Sequence, residues 1–246
     1  MHQITRFTAT AILAIGAVAA AACDDDDDEG PSGPVSTTFT VTIENVSTQG
    51  TLAVTRLDGV VPLSPGVWAV YTNLNPLFLI GEPVVESLER LAEDGDNAAE
   101  GARVAGLTAA EGGTFEAPGG ADNSPLIFPG ETVTFTFSAV PGDRLMIETM
   151  FAQSNDWFFA FSGAGLDLFD GSTPVTGDVT SQIVLYDAGT EADTPPGTGP
   201  DQAPVQAAPN TGAADPDSTL RLVPVTDTTL ALPPLTSIIR VTITAQ

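Results

Sequence analysis

The chain has 246 residues, with 32 Asp and Glu against 7 Arg, no Lys, and a formal net charge of −25. Its single histidine, His2, and its single cysteine, Cys23, lie at the very start. Past them there is no imidazole, thiol or lysine amine, which excludes Ser-His-Asp and Cys-His catalysis, Schiff-base chemistry and zinc or copper sites. Nucleic acid is not expected as a partner, because the acidic chain would repel its phosphates. Carboxylate chemistry, binding of hard cations, or no reaction remain.

Residues 1–22 predict a signal peptide of the lipoprotein type, cleaved before Cys23. Arg6 precedes an unbroken run of 12 small or apolar residues, 11–22, which is shorter than the roughly 20 residues that span a bilayer. The run ends in Ala-Ala-Ala-Cys, which resembles a bacterial lipoprotein cleavage site, although Leu is usual where Ala20 stands. We therefore predict export, lipidation at Cys23 and anchoring to a membrane on its periplasmic or cell-surface face. An ordinary signal peptide, giving a secreted protein, is the alternative.

Residues 23–36 predict an acidic linker rich in Gly and Pro. Five consecutive aspartates and Glu29 repel one another and keep the chain extended, and the Gly-Pro-Ser-Gly-Pro segment continues the linker. A calcium site in this run is the less favoured reading, because ordering it around an ion would lower the affinity.

Residues 37–246 predict a single all-β domain, an antiparallel β-sandwich of about eight strands. Apolar residues alternate with polar ones at 38–46, 131–138 and 238–244, which is typical of strands with one buried face. Further strands are predicted at 52–57, 67–72, 144–151, 182–186 and 219–223. The similar patterns of the first and last strands suggest that they are neighbours in one sheet.

One short helix and one long loop complete the predicted domain. Residues 83–92 place Val84, Val85, Leu88 and Leu91 on one side, and Asp94-Gly95-Asp96 is expected to end the helix. Residues 190–218 contain six prolines and few apolar residues. Loops of this length are uncommon in compact domains and tend to be functional or disordered.

Carboxylates cluster at two predicted strand ends. A strand ending at the Gln-Ser-Asn-Asp-Trp-Phe-Phe segment, 153–159, would bury Trp157 and leave Asp156 at the mouth of a loop. A second strand runs into Asp187, a Gly turn and Glu191. Calcium takes about 6–8 oxygen ligands, which these side chains could supply if the sheet brings them together. The alternative is that these acids are ordinary turn and cap residues.

Several segments together resemble the spondin N-terminal domain, the domain of F-spondin and mindin that also occurs in bacterial secreted proteins. They are Ser-Asn-Asp-Trp-Phe-Phe (154–159), Leu-Asp-Leu-Phe-Asp-Gly (166–171), Leu-Tyr-Asp-Ala-Gly-Thr-Glu (185–191), Pro-Leu-Ser-Pro-Gly (62–66) with Trp68, and the first and last strands. The resemblance covers about residues 37–246, nearly all of the chain after the leader.

The resemblance implies a β-sandwich like that of calcium-dependent membrane-targeting domains, with a metal bound at one end. It implies ligands at Asp156, at Asp187 and at Glu191, where Glu replaces the family's Asp. A further acidic ligand is expected one hairpin before the Trp-Phe motif, at Glu131 or Glu148. The family's cysteines are absent here, so no disulfide is expected. The implied role is non-enzymatic adhesion or surface recognition of an extracellular protein or glycan, with Ca²⁺ as cofactor.

Two alternatives stay open at the level of sequence. In the first, the sandwich binds carbohydrate: Trp68, Trp157 and Tyr186 could stack on sugars unless they lie in the core, and two carboxylates could hydrolyse a glycoside without histidine. In the second, the chain is a passive envelope protein whose acidic surface provides solubility.

Overall fold

The computed structural model describes residues 35–119, 125–224 and 229–246. The predicted signal peptide, Cys23 and nearly all of the predicted linker lie outside these residues. Within these three ranges, no helix is both long enough and apolar enough to cross a membrane.

The described chain is mostly antiparallel β-structure, which confirms the predicted all-β sandwich. The strands are β1 (Thr37–Asn45), β2 (Leu63–Tyr71), β3 (Ala110–Phe115), β4 (Thr132–Ala139), β5 (Arg144–Phe151), β6 (Trp157–Phe161), β7 (Leu166–Asp167), β8 (Phe169–Asp170), β9 (Thr173–Pro174), β10 (Gly177–Asp178), β11 (Ile183–Asp187), β12 (Arg221–Leu222) and β13 (Ile239–Ala245).

The smaller main sheet has the order β10-β13-β1-β4. The first and last long strands are therefore hydrogen-bonded neighbours, with Val41 opposite Ile243, as their similar patterns suggest. The alternation of β1 buries Phe39, Val41 and Ile43 completely, because every second side chain points into the sandwich. The outward positions carry the threonines of the three long strands, so the alternation in the sequence is enough to predict these strands.

The larger sheet has the order β12-β11-β6-β5-β2-β3, with β7 pairing with β5 and β8–β9 forming a separate hairpin. Its central strands are buried on both faces: the five residues of β6, Trp-Phe-Phe-Ala-Phe, all have no exposed surface. Phe158 packs at 5.6 Å from both Phe78 and Tyr186 on one side, whereas Phe151 packs against Trp157 and Phe159. A strand covered on both faces reads as a continuous apolar run rather than an alternating one.

Aromatic rings join the two sheets. The ring of Trp68 on β2 stacks at 5.3 Å on Phe135 of β4 and at 5.5 Å on Phe137. Phe115 on β3 stacks on Phe135 as well, at 5.7 Å. The core of the sandwich therefore lies between β2 and β3 on one side and β4 and β1 on the other.

Two local expectations are corrected. The predicted strand at 52–57 is a bend that leads into a 3-10 turn, Arg56–Gly59. Leu57 and Asp58 there have φ of 50° and 52°, which an extended strand does not allow. Conversely, β3 was not predicted, because its Ala-Glu-Gly-Gly-Thr-Phe sequence has no alternation and two glycines.

Helix α1 (Glu86–Asp94) begins later than the prediction, and a second helix, α2 (Ala98–Ala105), was not predicted. Val85 is extended, with ψ of 151°, so Pro83 lies before the helix rather than in its first turn. Gly95 ends α1 as expected, with φ of 69° and its N–H bonded to the carbonyl of Leu91. The sequence of α2 is short and contains Gly101, a poor helix former, and the helix packs on β2 and β3.

Candidate metal centre

Strand register brings Asp156 and Asp187 together. Asp156 immediately precedes β6 and Asp187 is the last residue of β11, which places Asp187 directly opposite Trp157. The N–H of Ala188 donates to the carbonyl of Asp156 at 3.2 Å, which ties the two strand ends to each other. The Ser154 hydroxyl accepts from the N–H of Trp157 at 3.0 Å and so shapes the turn that presents Asp156. β6 thus begins at this segment, whereas the sequence suggested a strand that ends there.

A third aspartate, Asp193, joins this pair from the long 190–218 segment. Its Oδ1 accepts a 2.6 Å hydrogen bond from the indole N–H of Trp157. One carboxylate oxygen from each of Asp156, Asp187 and Asp193 lies within 4.8 Å of the other two, so the group could hold a metal ion. Asp156 and Asp187 are buried and Asp193 is exposed, so the group has one side open to solvent.

Asp156 is held firmly but only through one oxygen. Its Oδ2 accepts from the N–H of Thr190 at 2.7 Å, from the Thr190 hydroxyl at 3.1 Å and from the N–H of Glu191 at 3.0 Å. Its Oδ1 is buried and has no hydrogen-bond partner among the described residues. Burial raises the pKa of Asp156 to about 6, although the two backbone N–H groups oppose the shift.

Asp187 is partnered on both oxygens. Its Oδ1 accepts from the N–H of Gly189 at 2.8 Å, and its Oδ2 lies 2.5 Å from the Arg221 guanidinium. Burial and then the neighbouring Asp156 carboxylate raise the pKa of Asp187, against the effect of Arg221. Burial also raises the pKa of Asp193. Burial is thus the main reason why the pKa of each of the three carboxyl groups is raised.

Glu191 lies beside this group, but its carboxylate is turned to other partners. Its Oε2 accepts from the Asn155 amide at 3.2 Å and its Oε1 accepts from the N–H of Gly212 at 2.7 Å. The side-chain oxygen of Asn155 accepts from the N–H and from the hydroxyl of Thr194, at 3.1 and 2.6 Å. Glu191 thus fastens the long segment next to the centre, and it reaches Asp156 through its backbone N–H.

The structure does not bring Glu131 or Glu148 into the aspartate group. Glu131 accepts a 2.6 Å hydrogen bond from the N–H of Phe128 in the turn before β4, in the other sheet. Glu148 lies on β5 with no exposed surface, next to Glu100 of α2, and neither of its carboxylate oxygens accepts a hydrogen bond from a donor among the described residues.

Sequence reasoning missed Asp193 and Arg221. Asp193 follows Glu191 by two residues, so acid spacing along 187–193 was the available indication. Arg221 carried no indication at all, because only the pairing of β11 with β12 places it opposite Asp187. Glu93 of α1 was missed as well: it is buried near Thr190, its Oε2 has no partner among the described residues, and burial raises its pKa to about 8.

The aromatic residues considered for sugar stacking lie in the core. Trp157 and Tyr186 have no exposed surface, and 8 % of Trp68 is exposed. None of the three therefore presents a face on which a sugar ring could stack.

No protein-family model matches this chain, and a search of curated proteins finds no match to it. The fold and the candidate site define an antiparallel β-sandwich in which three aspartates, two of them at strand ends, lie close enough together to hold a metal ion. The cluster offers acceptor oxygens and one guanidinium, and the carboxylate oxygens suit a hard cation.

Proposed function

We propose that this protein is an exported, lipid-anchored, non-enzymatic module, similar to the spondin N-terminal domain, that binds Ca²⁺ at Asp156, Asp187 and Asp193. The leader that ends in Cys23 supports export and anchoring at the cell envelope. The lack of histidine, lysine and cysteine beyond that point supports a binding rather than a catalytic role. An adhesion or surface-recognition role, with an extracellular protein or glycan as partner, follows from the resemblance to the family.

One observation carries the calcium proposal: three aspartates converge within 4.8 Å, and a buried oxygen of Asp156 has no partner in the described chain. A buried acceptor without a donor is costly, and a cation satisfies it. Calcium suits the group better than magnesium, because it tolerates irregular geometry and takes carboxylate, carbonyl and water oxygens together. The open side at Asp193 leaves room for water ligands.

Calorimetric titration of the purified protein with CaCl₂ tests the proposal. We expect a single site, and thermal stabilisation on binding, because a ligand that binds the folded state stabilises it. Asp156→Asn and Asp193→Asn should each weaken binding at least about tenfold, which corresponds to about 1.4 kcal/mol. Asparagine keeps an acceptor oxygen for the Thr190 and Trp157 donors, so both variants should fold.

Asp170→Asn is the matched control, since Asp170 is an exposed acid in the hairpin of β8 and β9, outside the aspartate group. It should bind calcium as the wild type does. If calcium gives no heat and raises the melting temperature only as much as NaCl of equal ionic strength, the metal proposal is wrong and the passive acidic envelope protein is the better reading.

Anchoring has a separate test. Metabolic labelling with a radioactive fatty acid in a bacterial host should label the wild type and leave Cys23→Ser unlabelled, and the variant should move from the membrane fraction to the soluble one. Equal labelling of both proteins, or a soluble wild type, would contradict the lipid anchor without bearing on the metal.

A further inference from the structure

Arg221 is the cation already in contact with the aspartate group. It lies on β12, where the register sets it directly opposite Asp187. Its Nη2 is 2.5 Å from Asp187 Oδ2 and 2.7 Å from Asp215 Oδ2. Among the ion pairs of the described ranges, the Arg221–Asp187 pair is the one that joins an arginine to an aspartate of the centre.

Arg221 has a second set of partners within its own loop. Besides the contact with Asp215, its Nη1 donates to the carbonyls of Asp217 at 2.7 Å and Thr219 at 3.3 Å. The guanidinium therefore keeps three hydrogen bonds if Asp187 is taken by another cation. The Arg221 side chain is about 30 % exposed, so its charge stays in contact with solvent if the guanidinium moves away from Asp187.

We propose that Arg221 is the counter-ion of the metal-free centre and competes with Ca²⁺ for Asp187, so that it sets the affinity of the site. This inference rests on the proposed calcium function and adds its regulation by a residue of the same chain. The guanidinium satisfies Asp187 but leaves the buried Oδ1 of Asp156 unpartnered. Arg221 thus balances part of the charge of the group and does not replace a metal bound among all three aspartates.

The physical consequence is an exchange of one cation for another. A calcium ion on Asp187 repels a guanidinium 2.5 Å from the same carboxylate, so binding requires that Arg221 leaves Asp187 and stays on Asp215. Without Arg221 that repulsion is absent and binding tightens, whereas the metal-free protein keeps three acids near one another with no cation and becomes less stable.

Arg221→Gln tests the proposal against Arg240→Gln, which removes the partner of Glu44 in the smaller sheet. In calorimetry with CaCl₂ we expect Arg221→Gln to bind about ten times more tightly than the wild type, and Arg240→Gln to bind as the wild type does. In thermal melts we expect Arg221→Gln to lose stability without calcium and to gain a larger increase in melting temperature with it. A structural ion pair alone predicts weaker or unchanged calcium binding in Arg221→Gln, and that result would overturn the inference.

A measurement on the wild type does not depend on how the variant folds. In ¹⁵N NMR spectra of the arginine side chains, saturating calcium should shift the Arg221 resonance and leave that of Arg240 in place. An unmoved Arg221 resonance with bound calcium would show that the guanidinium stays on Asp187, and the inference would be wrong while the calcium function stands. A wild type that binds no calcium would instead refute the proposed function and this inference with it.

Discussion

The carboxyl groups of Asp156 and Glu148 are both fully buried, but their surroundings differ. Asp156 accepts three hydrogen bonds on one oxygen and points the other toward a group of aspartates. Glu148 accepts none among the described residues and lies beneath α2, next to Glu100, which is itself paired with Arg103 and bonded to Ser87. Burial and then the charge of Glu100 raise the pKa of Glu148 well above its usual range, although Arg103 opposes the shift.

Glu148→Gln should change how stability depends on pH. The pKa of Glu148 in the folded state lies above its value of about 4.5 in the unfolded state. Its contribution to the free energy of unfolding is therefore fully present below a pH of about 4.5, and it is lost as the pH rises through the folded-state pKa. Glutamine does not ionise, so the variant should be more stable than the wild type at pH 8 and equal or less stable at pH 4. Urea unfolding at both pH values measures the difference.

Glu111→Gln is the control for that measurement, since Glu111 is an exposed glutamate on β3. Its free energy of unfolding should follow that of the wild type across the same range. A constant difference between Glu148→Gln and the wild type at pH 4 and pH 8 would show that Glu148 does not change its protonation on folding.

Trp157 offers a spectroscopic test of where the metal binds. Its indole N–H bonds to Asp193 Oδ1, so a terbium ion among the three aspartates would lie beside the ring and receive its excitation energy. We expect terbium luminescence on excitation of tryptophan, lost in Trp157→Phe and in Asp193→Asn. Trp68→Phe should keep it, because Trp68 stacks between the two sheets. Luminescence that survives Trp157→Phe would place the ion elsewhere.

At the scale of elements, the long 190–218 segment is a loop that is fixed at its ends and also in its middle, where Gln202 accepts from Arg56 and Gln206 donates to Asp94. Asn155 holds Thr194 and Glu191, and Glu191 in turn holds the N–H of Gly212 and bridges to Ala214. The turn after β11 begins this arrangement at Gly189. Its φ is 73°, and a Cβ there would lie 2.7 Å from the carbonyl oxygen of Thr219. Only glycine allows the chain to turn so close to the strand that carries Arg221.

Gly189→Ala should therefore disturb both stability and calcium binding. We expect a loss of about 1–3 kcal/mol in the free energy of unfolding, from backbone strain together with the close approach, and weaker calcium binding because the turn positions Asp187. Urea unfolding and calorimetry provide the two readouts.

Gly171→Ala separates the effect of backbone strain from the effect of the close approach. Gly171 has a φ of 63° in the turn between β8 and β9, but nothing lies within 4 Å of a Cβ placed there. The free energy of unfolding of Gly171→Ala should fall by about 1 kcal/mol or less, and the variant should bind calcium as the wild type does. Equal effects of the two substitutions on calcium binding would mean that the turn at Gly189 does not position the centre.

At the scale of the whole molecule, the two sheets are joined by stacked aromatic rings. Phe135 contacts Trp68 and Phe115 across the sandwich and Phe137 within its own strand, and 8 % of it is exposed. The rings are large apolar groups buried between the sheets, and burial of apolar surface is the main favourable contribution to folding.

Phe135→Ala should lower the free energy of unfolding by about 3–5 kcal/mol, because it removes the transfer energy of the ring and leaves a cavity. Leu74→Ala, at a position that is 81 % exposed, should change it by less than about 0.5 kcal/mol. Chemical denaturation followed by tryptophan fluorescence measures both. A loss below about 1 kcal/mol in Phe135→Ala would show that the sheets do not depend on this contact.

Much of the fold could be predicted where one face of a strand meets solvent. β1, β4 and β13 lie within about one residue of their predicted positions, because their residue pattern reflects burial directly. β5 was also predicted at its observed bounds, although it is buried on both faces. β3 and α2 could not be predicted, since they are held by packing on β2 rather than by a local pattern. The strand predicted at 52–57 was wrong because the local pattern was misleading: its apolar residues suggested a strand, whereas the backbone turns there.

The amino-acid sequence by itself determined which residue types are missing beyond Cys23, the all-β class and the two carboxylate-bearing segments at Asp156 and Asp187, although it placed Asp156 at the end of a strand rather than before the start of β6. Only the tertiary structure decided that Asp193 completes the group, that Glu191 serves the loop, and that Arg221 lies against Asp187. The reason is physical: local sequence encodes which side chains are buried and where strands end, whereas the distance between two carboxylates depends on strand register and loop path, which the packing of the whole sandwich determines.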